Sequence, residues 1–423
     1  MVSLALKSAA SRTLVALGAL IGTQSGLALP GCTPTNAPTK VSGSNSGIPA
    51  RGSNSAFSAS KTTWESEIWS PRYAAAPAGL EAMQQRCGRA DAALAKVAAQ
   101  MLETPALLSD PDGREQLDFA MRAAGVAYVW PRGWFWTAKR NASDAEKVDD
   151  SFDTWLRSFN DGGERRCGLA GATTPESTSF AAIAVDVVAD VIKPLPIHVR
   201  TGQWLDLRVR LLESASDAKV VRLGPTGEPE FLGTAFDGSQ VHCPFAAKRP
   251  GQWLVQVMAM MNTGPRPVAD LLIFVDELPP SRFSSAPVPG ESAKNLGSDV
   301  AESLFAMLNQ ARLEEGRKPL ARDPELDRLA LEHAKAMFST GHTGHDVGDG
   351  STRQRLEAAG IVVSLRGENV VRAPDARRAH RELWASPSHR TNILHRGFRN
   401  VGIGAFVGPD RTIWACELFA ALD

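Results

Sequence analysis

The 423-residue sequence has no excess of charge of either sign, because 46 lysines and arginines balance 46 aspartates and glutamates. It also lacks a dense run of basic residues. Proteins that bind nucleic acid normally carry a basic patch or stripe that neutralises phosphates. Nucleic acid is therefore excluded as an expected partner.

Long apolar runs are missing as well. The apolar stretch from Leu14 to Ile21 is too short for a helix that crosses a bilayer, which needs about 20 apolar residues. This stretch follows the basic residues Lys7 and Arg12, an order that is typical of a secretory signal peptide. The sequence therefore predicts residues 1–31 as a signal peptide and the protein as exported.

The segment Leu29-Pro30-Gly31-Cys32 comes next and resembles the lipobox of bacterial lipoproteins, in which the cysteine is lipidated and becomes the mature N-terminus. The resemblance implies lipidation of Cys32 and a membrane anchor in the cell envelope, on the outer membrane or the cell surface. Plain secretion, after cleavage at a nearby Ala or Gly, is the alternative.

Cysteine is scarce, with five residues in all. Setting Cys32 aside leaves Cys87, Cys167, Cys243 and Cys416, an even number that suits an oxidising compartment. Four cysteines allow three pairings, and sequence alone does not choose among them. We favour a disulfide between Cys87 and Cys167, with free buried thiols as the alternative.

Two segments rich in Ser, Pro and Gly divide the chain. Residues 32–75 are predicted as a flexible tether, because the stretch 33–63 has almost no large apolar residue and cannot offset its conformational entropy by burial. Residues 278–296 are predicted as a linker. These breaks leave three folded blocks, at residues 76–175, 176–277 and 297–423.

The middle block, residues 176–277, alternates apolar and polar residues in short runs separated by Gly- and Pro-rich turns, for example Leu205-Asp206-Leu207-Arg208-Val209. This pattern predicts an all-β sandwich. His198 and His242 are isolated within it and are interpreted as polar strand residues. No catalytic constellation is recognised in this block.

The first block, residues 76–175, is predicted to be helix-rich and to be a degenerate copy of the last block. Three pairs of segments agree in order and in approximate spacing: Leu94–Ala98 with Leu326–Ala330, Arg122–Val126 with Glu357–Ile361, and Cys167–Ala170 with Val401–Gly404. Chance similarity of alanine-rich helices is the alternative. Such a copy would lack the histidines and acids of the last block, so we expect a structural role or a separate binding surface.

The last block, residues 297–423, carries strong helix signals. N-terminal capping patterns predict three helices: Asp299 with Glu302, Asp323 with Pro324, and Ser351 with Gln354. A fourth helix is predicted from Asp375 to Ala385, ending before Pro387. Strand candidates lie between and after the helices: Ile361–Leu365, Val401–Val407 and Thr412–Phe419. Helices interleaved with strands predict a multi-domain α/β protein that ends in an α/β/α sandwich.

The segments between these elements are the most informative part of the chain: GHTGHDVGDG at 341–350, RGEN at 366–369 and SPSHRTNIL at 386–394. Together with Trp384, the Val401–Gly404 segment and the stretch from Trp414 to Phe419, their order resembles the bacterial branch of the CAP superfamily. This is the SCP-like domain of cysteine-rich secretory, antigen 5 and pathogenesis-related proteins. The resemblance covers about residues 297–423 and implies the CAP fold.

The resemblance also implies that His345, Glu368 and His389 converge in one cleft, because the family places two histidines and carboxylates around a central pocket. In many members the pocket holds a divalent metal, often zinc, so His345 and His389 are the candidate metal ligands. Asn392 lies three residues after His389 and is expected to orient it.

Glu417 is a departure from the family pattern, because bacterial members often carry Gln at this position. It adds a further carboxylate to the predicted pocket. Strand alternation places Glu417 on the opposite face from Cys416, so Glu417 is predicted to face the pocket while Cys416 does not. Exposure at a strand end is the alternative for Glu417.

Three functions stay open. The first is a surface-anchored module that binds an extracellular lipid, glycan or peptide, with or without a divalent metal. The second is a hydrolase of extracellular peptide, ester or cell-wall substrates, in which a metal activates water and Glu368 is the general base. The third is a structural envelope protein. The sequence has no HExxH motif, and since turnover is not a general property of the family, the resemblance favours binding over catalysis.

Overall fold

The computed structural model describes residues 62–103, 113–139, 145–157, 159, 162–224, 226–262, 264–283, 287–294, 296 and 299–422. The predicted signal peptide, Cys32 and the tether up to residue 61 lie outside these residues. None of the helices in these ranges combines the length and the apolar character of a membrane-spanning segment. The described chain forms three units that follow one another along the sequence.

The first unit is a four-stranded sheet packed against helices. Its elements are α1 (Glu81–Cys87), β2 (Arg89–Ala90), α2 (Ala92–Glu103), α3 (Gly113–Ala123), β3 (Arg132–Lys139), α4 (Ala145–Leu156), β4 (Glu164–Thr173) and β5 (Ser177–Val187), preceded by β1 (Glu67–Ile68). The strand order is β2-β4-β5-β3, in which β2 runs parallel to β4 and the other neighbours are antiparallel.

Strand β5 differs from the prediction, which assigned it to the sandwich that follows. It pairs with β3 and β4 of the first sheet. Residues 181–187 are buried without alternation, as a central strand covered on both faces requires. The sandwich therefore begins one strand later than residue 176.

A disulfide joins Cys87 at the end of α1 to Cys167 on β4, the pair favoured from the sequence, with their Cα atoms 5.9 Å apart. Its cysteines are 80 positions apart, and closing a loop of that length stabilises the folded state by about 4.5 kcal/mol in the chain-entropy treatment. In the described part of the chain, Cys243 and Cys416 are free and buried.

The second unit is a β-sandwich of two facing sheets, in agreement with the prediction. Its strands are β6 (Ala189–Val191), β7 (Leu195–Pro196), β8 (His198–Val199), β9 (Trp204–Leu211), β10 (Asp217–Leu223), β11 (Glu230–Leu232), β12 (Ala235–Phe236), β13 (Gln240–Ala246), β14 (Gly251–Met261) and β15 (Gly264–Val275). The sheet orders are β11-β10-β14-β15-β8 and β12-β13-β9-β6, while β7 pairs with β1. Trp253 and its neighbours fill the core between the sheets.

The last unit is an α/β/α sandwich, as predicted. Its elements are α5 (Val300–Glu314), β16 (Ala321–Arg322), α6 (Pro324–Thr340), α7 (Thr352–Ala358), β17 (Val363–Ala373), α8 (Ala376–Ala385), α9 (Pro387–Leu394), β18 (Asn400–Val407) and β19 (Ile413–Leu422). The sheet order is β16-β18-β19-β17. One apolar core lies between the sheet and α6, and a second lies between the sheet and helices α5 and α8.

The N-caps predicted in this unit are present. Asp299 accepts hydrogen bonds from the backbone of Ala301 and Glu302, and Asp323 caps α6 ahead of Pro324. Ser351 and Gln354 form a reciprocal capping box. These caps satisfy amide groups that the first turn of each helix leaves unpaired.

Two segments predicted as loops belong to regular elements. The RGEN segment lies inside β17, which is buried almost continuously from residue 367 to 373 because helices cover it on both sides. The segment after Ser386 forms helix α9, in which Pro387 occupies the first turn. A proline tolerated at this position begins a helix as readily as it ends the preceding one.

The predicted tether and linker are partly docked. Trp64 packs edge-on against Phe119 and Phe274, with ring centroids 5.3 and 5.1 Å apart. Val288 packs on the core of the last unit, and the Gly290 amide donates to Glu314 Oε2 at 3.0 Å. Isolated apolar residues therefore anchor the described parts of both segments to the fold.

The sheets of the first and last units share one connectivity. In each, a short first strand runs parallel to the third, and the third pairs antiparallel with the fourth. Gly168 and Gly402 are matched positions, because a Cβ there would lie 2.0 Å from the backbone of Leu94 or Leu326 in the helix behind. The register then matches Gly133, Trp134 and Ala182 with Glu368, Asn369 and Glu417.

Candidate functional site

A buried carboxylate and an imidazole form the first part of the site. Glu368 extends from β17, and its Oε1 lies 2.8 Å from Nδ1 of His345 in the loop between α6 and α7. The Glu368 side chain is 1% exposed and that of His345 12%. This hydrogen bond leaves Nε2 as the His345 atom that is free to meet a ligand.

Arg355 of α7 completes the setting of Glu368. Its guanidinium forms an ion pair with Glu368 Oε2 and donates to the backbone oxygen of His345 at 3.0 Å. Burial alone would raise the pKa of Glu368, but the hydrogen bond from His345 and the charges of Arg355, His345 and His333 lower that pKa to about 2. Glu368 is therefore ionised at neutral pH.

His333, a buried residue of α6 that no sequence motif marks, joins this group. Its Nδ1 lies 2.7 Å from Asp349 Oδ2, and its Nε2 lies 2.8 Å from the Gly344 oxygen and 3.8 Å from Glu368 Oε1. A buried histidine on an apolar helix face needs polar partners. The position of His333 among apolar residues of α6 is therefore the sequence signal that could have indicated its place in the site. His333 and Asp349 hold the loop that carries His345.

A second polar group lies around Asn369, next to Glu368 in the strand. Asn369 Nδ2 donates to Glu417 Oε2 at 2.9 Å and to the His389 backbone oxygen at 3.2 Å. Asn392 Nδ2 donates to Asn369 Oδ1 at 2.9 Å and to the Glu368 backbone oxygen at 3.1 Å. Asn392 thus ties α9 to β17, whereas the sequence predicts that it orients the His389 ring.

Glu368 and Glu417 lie on opposite faces of the sheet, so these two carboxylates do not share the single cleft that was predicted. Glu368 pairs across to Leu418, which packs in the core that includes α6. Glu417 pairs with Asn369 and with Ile403, and Ile403 packs in the core that includes α5 and α8. Directly paired residues share a face. The predicted alternation holds, but Cys416 is the residue on the Glu368 face, with Sγ 3.7 Å from Glu368 Oε2.

His389 stands out, because neither of its ring nitrogens has a hydrogen-bond partner among the residues described. The residue is 2% exposed. Burial, together with the charge of His345, lowers the pKa of His389 to about 3. The ring is therefore neutral at physiological pH, and one nitrogen carries a lone pair while the other carries a proton.

Glu417 is fully buried, which excludes the solvent-exposed alternative. Its Oε1 finds no partner within the described chain. Burial raises the pKa of Glu417 to about 7, against the opposing effect of the hydrogen bond from Asn369. This carboxyl group is therefore partly protonated near neutral pH.

The donor chemistry of the two predicted metal ligands suits a divalent cation such as zinc, because neutral imidazole nitrogens are common zinc ligands. His389 offers an unpartnered nitrogen and His345 offers Nε2. The oxygens of Glu368 are already bound to His345 and Arg355. In the part of the chain that the structure describes, no three His, Cys, Asp or Glu side chains form a metal-binding group.

Residues 305–418 match the sequence model of the cysteine-rich secretory protein family, CAP. No curated protein matches the chain. Similar solved structures include an outer surface protein from Borrelia burgdorferi, 17% identical over 30% of this chain and 95% of that one, with a TM-score of 0.29. An extracellular SCP-domain protein from Bacillus anthracis is 18% identical over 56% and 82%, with a TM-score of 0.27.

A cysteine-rich secretory protein from Staphylococcus aureus is 13% identical over 56% of this chain and 81% of that one, with a TM-score of 0.25. All three TM-scores lie below 0.5. The assignment of the last unit to the CAP family therefore depends on the family match and on the segments that carry His345, Glu368 and His389.

Proposed function

Residues 305–418 are a CAP domain, and we propose that this domain is a binding module that holds a divalent cation weakly through His345 and His389. Two protein ligands leave coordination positions for water and for an extracellular lipid, glycan or peptide. The observation that carries the proposal is the buried His389 ring, whose nitrogens have no partner among the described residues. Leaving such groups unpaired costs free energy, which a bound ligand recovers.

The fixed half of the site is the pair of His345 and Glu368. A carboxylate that accepts from Nδ1 selects the tautomer of the imidazole and orients its ring, so that Nε2 is the nitrogen left for a ligand. A cation at Nε2 would supply Lewis-acid polarisation of a ligand oxygen. His345 is thus the oriented ligand, and His389 is the buried one.

The properties of Glu368 favour binding over hydrolysis. Its oxygens are engaged by His345 and Arg355, and a pKa of about 2 lies far from the neutral value that suits a general base. A hydrolytic version of the site would instead use His345 as the proton acceptor, held by Glu368 as a carboxylate holds the histidine of a hydrolytic triad.

Calorimetric titration of the full chain with zinc chloride tests the proposal. We expect weak binding at one site, lost in His345→Ala and in His389→Ala. His342→Ala is the matched control, because His342 is an exposed loop histidine with Nδ1 on the Thr340 oxygen at 2.7 Å. Absence of zinc binding by the parent chain, or its loss in the control, would contradict the proposal.

A screen of peptide, ester and cell-wall substrates separates binding from turnover. We expect no turnover by the parent chain with zinc present. Turnover that is lost in His345→Ala and kept in His342→Ala would establish the hydrolase instead.

The proposal places the protein outside the cytoplasm, anchored through lipidated Cys32. The disulfide between Cys87 and Cys167 supports export, since disulfides persist in oxidising compartments. Incorporation of a labelled fatty acid by the parent chain, lost in Cys32→Ala, is the expected result. A chain that is released without label would favour plain secretion.

The first unit is, in this proposal, a degenerate copy of the CAP domain without the pocket. Support comes from the shared strand connectivity and from the matched glycines at 168 and 402. At the positions that match Asn369 and Glu417 it has Trp134 and Ala182, which belong to an apolar cluster with Phe152. Its role is accordingly structural.

A further inference from the structure

We infer that the β-sandwich sets the position of His389 through Arg390, so that the middle unit tunes the ligand site of the CAP domain. Arg390 is here a positioning residue that acts through helix α9. The inference rests on the proposed function, because the affinity that it expects to change is the affinity for the divalent cation. The contact between the units is independent of that ligand.

Arg390 is a buried guanidinium, 5% exposed, and it directly follows His389 in α9. Its Nε donates to the Trp384 backbone oxygen at 2.7 Å, and its Nη1 donates to the Gly224 backbone oxygen at 3.3 Å. Its Cζ also lies 4.3 Å from the centroid of the Trp384 ring. Arg390 therefore links the end of α8 in the CAP domain to the sandwich.

The sandwich holds the Gly224 carbonyl in place. A Cβ at Gly224 would lie 3.0 Å from the Trp253 ring, and Trp253 is 1% exposed in the sandwich core. Trp253 is itself fixed by a hydrogen bond from Nε1 to the Arg249 oxygen at 3.0 Å. The Gly224 carbonyl, which accepts from Arg390, is thus held by the core of the sandwich.

Two further contacts join the same regions. The Gly227 amide donates to Glu315 Oε2 at 2.9 Å, and Arg317 Nη2 pairs with Glu228 Oε1 at 2.8 Å. Arg317 Nε also donates to the Leu394 oxygen at 3.1 Å, at the end of α9. The sandwich therefore contacts α9 at Arg390 and, through Arg317, at its C-terminal end.

Helix α9 has eight residues and no side-chain hydrogen bond at its N-cap, so its position depends on tertiary contacts. Asn369 holds the His389 backbone from the sheet, and the Gly224 carbonyl of the sandwich holds the next residue, Arg390. A shift of the Gly224 carbonyl would move α9 relative to the sheet. The His389 ring would then move relative to His345.

The test uses the full chain and two readouts: the carbon–proton NMR signal of the His389 ring, identified by its loss in His389→Gln, and the affinity for zinc. Gly224→Ala perturbs the hydrogen bond between Gly224 and Arg390 through a change in the sandwich, with the sequence of the CAP domain unchanged. Arg390→Gln removes the same guanidinium contact through a change in the CAP domain. Gly233→Ala is the matched control, because nothing lies within 4 Å of a Cβ there.

We expect Gly224→Ala and Arg390→Gln to move the His389 signal and to weaken zinc binding by about 2- to 30-fold. Arg390→Lys, which keeps one donor, should recover part of the change, and Gly233→Ala should change neither readout. If Gly224→Ala does not fold, Glu228→Gln takes its place. An unmoved His389 signal in folded Gly224→Ala, or in Glu228→Gln when it takes that place, would overturn the inference.

The ring signal separates the two proposals. If the parent chain binds no zinc, the proposed function fails, while a signal that moves in Gly224→Ala still supports the control of His389 by the sandwich. If zinc binds and the signal does not move in any folded variant, the sandwich has no influence on His389 and only the inference fails.

Discussion

Replacing Glu368 with Gln tests the electrostatic design of the site. Glutamine keeps the shape of the side chain but removes the charge that pairs with Arg355 and holds His345. A pKa held at about 2 instead of 4.5 corresponds to roughly 3 kcal/mol of stability at neutral pH. Little screening applies, because the Glu368 side chain is 1% exposed.

The direction of the pH dependence follows from the lowered pKa of Glu368. The folded chain binds this proton less tightly than the unfolded chain does, so the stability is fully present above about pH 4.5 and is lost as the pH falls through about 2. Glu368→Gln should therefore be less stable than the parent at pH 7, and this difference should shrink in strong acid.

Hydrogen exchange measured on peptides of β17 and β19 reports the opening free energy of the last unit alone. We expect a decrease of roughly 3 kcal/mol for Glu368→Gln at pH 7, with peptides of the first unit unchanged. The control is Glu357→Gln, because Glu357 is 63% exposed and pairs with Arg353 at 3.8 Å, a contact worth under about 1 kcal/mol. Equal exchange in the parent and in Glu368→Gln would show that the charge of Glu368 does not stabilise the last unit.

Three further predictions concern other groups. In metal-free protein the His389 ring should stay neutral in an NMR titration down to about pH 3. The free energy of unfolding should fall as the pH drops below about 6.5, because the unfolded chain binds a proton at His389 more tightly than the folded chain does. Titration of the His389 ring near pH 6.5 would contradict this. The pKa of Glu417 is raised to about 7, so its protonated form stabilises the fold at low pH, and this stability is lost as the pH rises through 7. In urea unfolding, Glu417→Gln should therefore be more stable than the parent at pH 8 and show no gain at pH 4. Replacing Cys87 and Cys167 with Ser should lower the free energy of unfolding of the first unit by about 2–5 kcal/mol in urea; an unchanged midpoint would contradict this.

Local signals in the sequence were sufficient for much of the fold. The caps at Asp299, Asp323 and Ser351 depend on residues three or fewer positions away, so a single chain reveals them. The CAP assignment likewise came from short ordered segments. Pro387 was ambiguous, because the same residue ends one helix and begins the next.

The arrangement of the site depended on strand register, which the sequence does not specify. In the observed register Glu368 pairs with Leu418. A shift of one residue between β17 and β19 would pair it with Glu417 instead, and would place the two carboxylates on the same face of the sheet. The role of His333 also depended on the fold, because its partner Asp349 comes from a loop. The contact between Arg390 and Gly224 spans 166 positions, beyond the reach of any local pattern.

In the proposed site, His345 and His389 together hold a ligand that the protein itself does not supply. The most direct measurement is NMR of the histidine ring nitrogens in the full chain during titration with zinc. We expect the signals of His345 Nε2 and of one His389 nitrogen to shift together, while His342 is unchanged. Shifts confined to His342 or to other exposed histidines, or no shift at all, would contradict it.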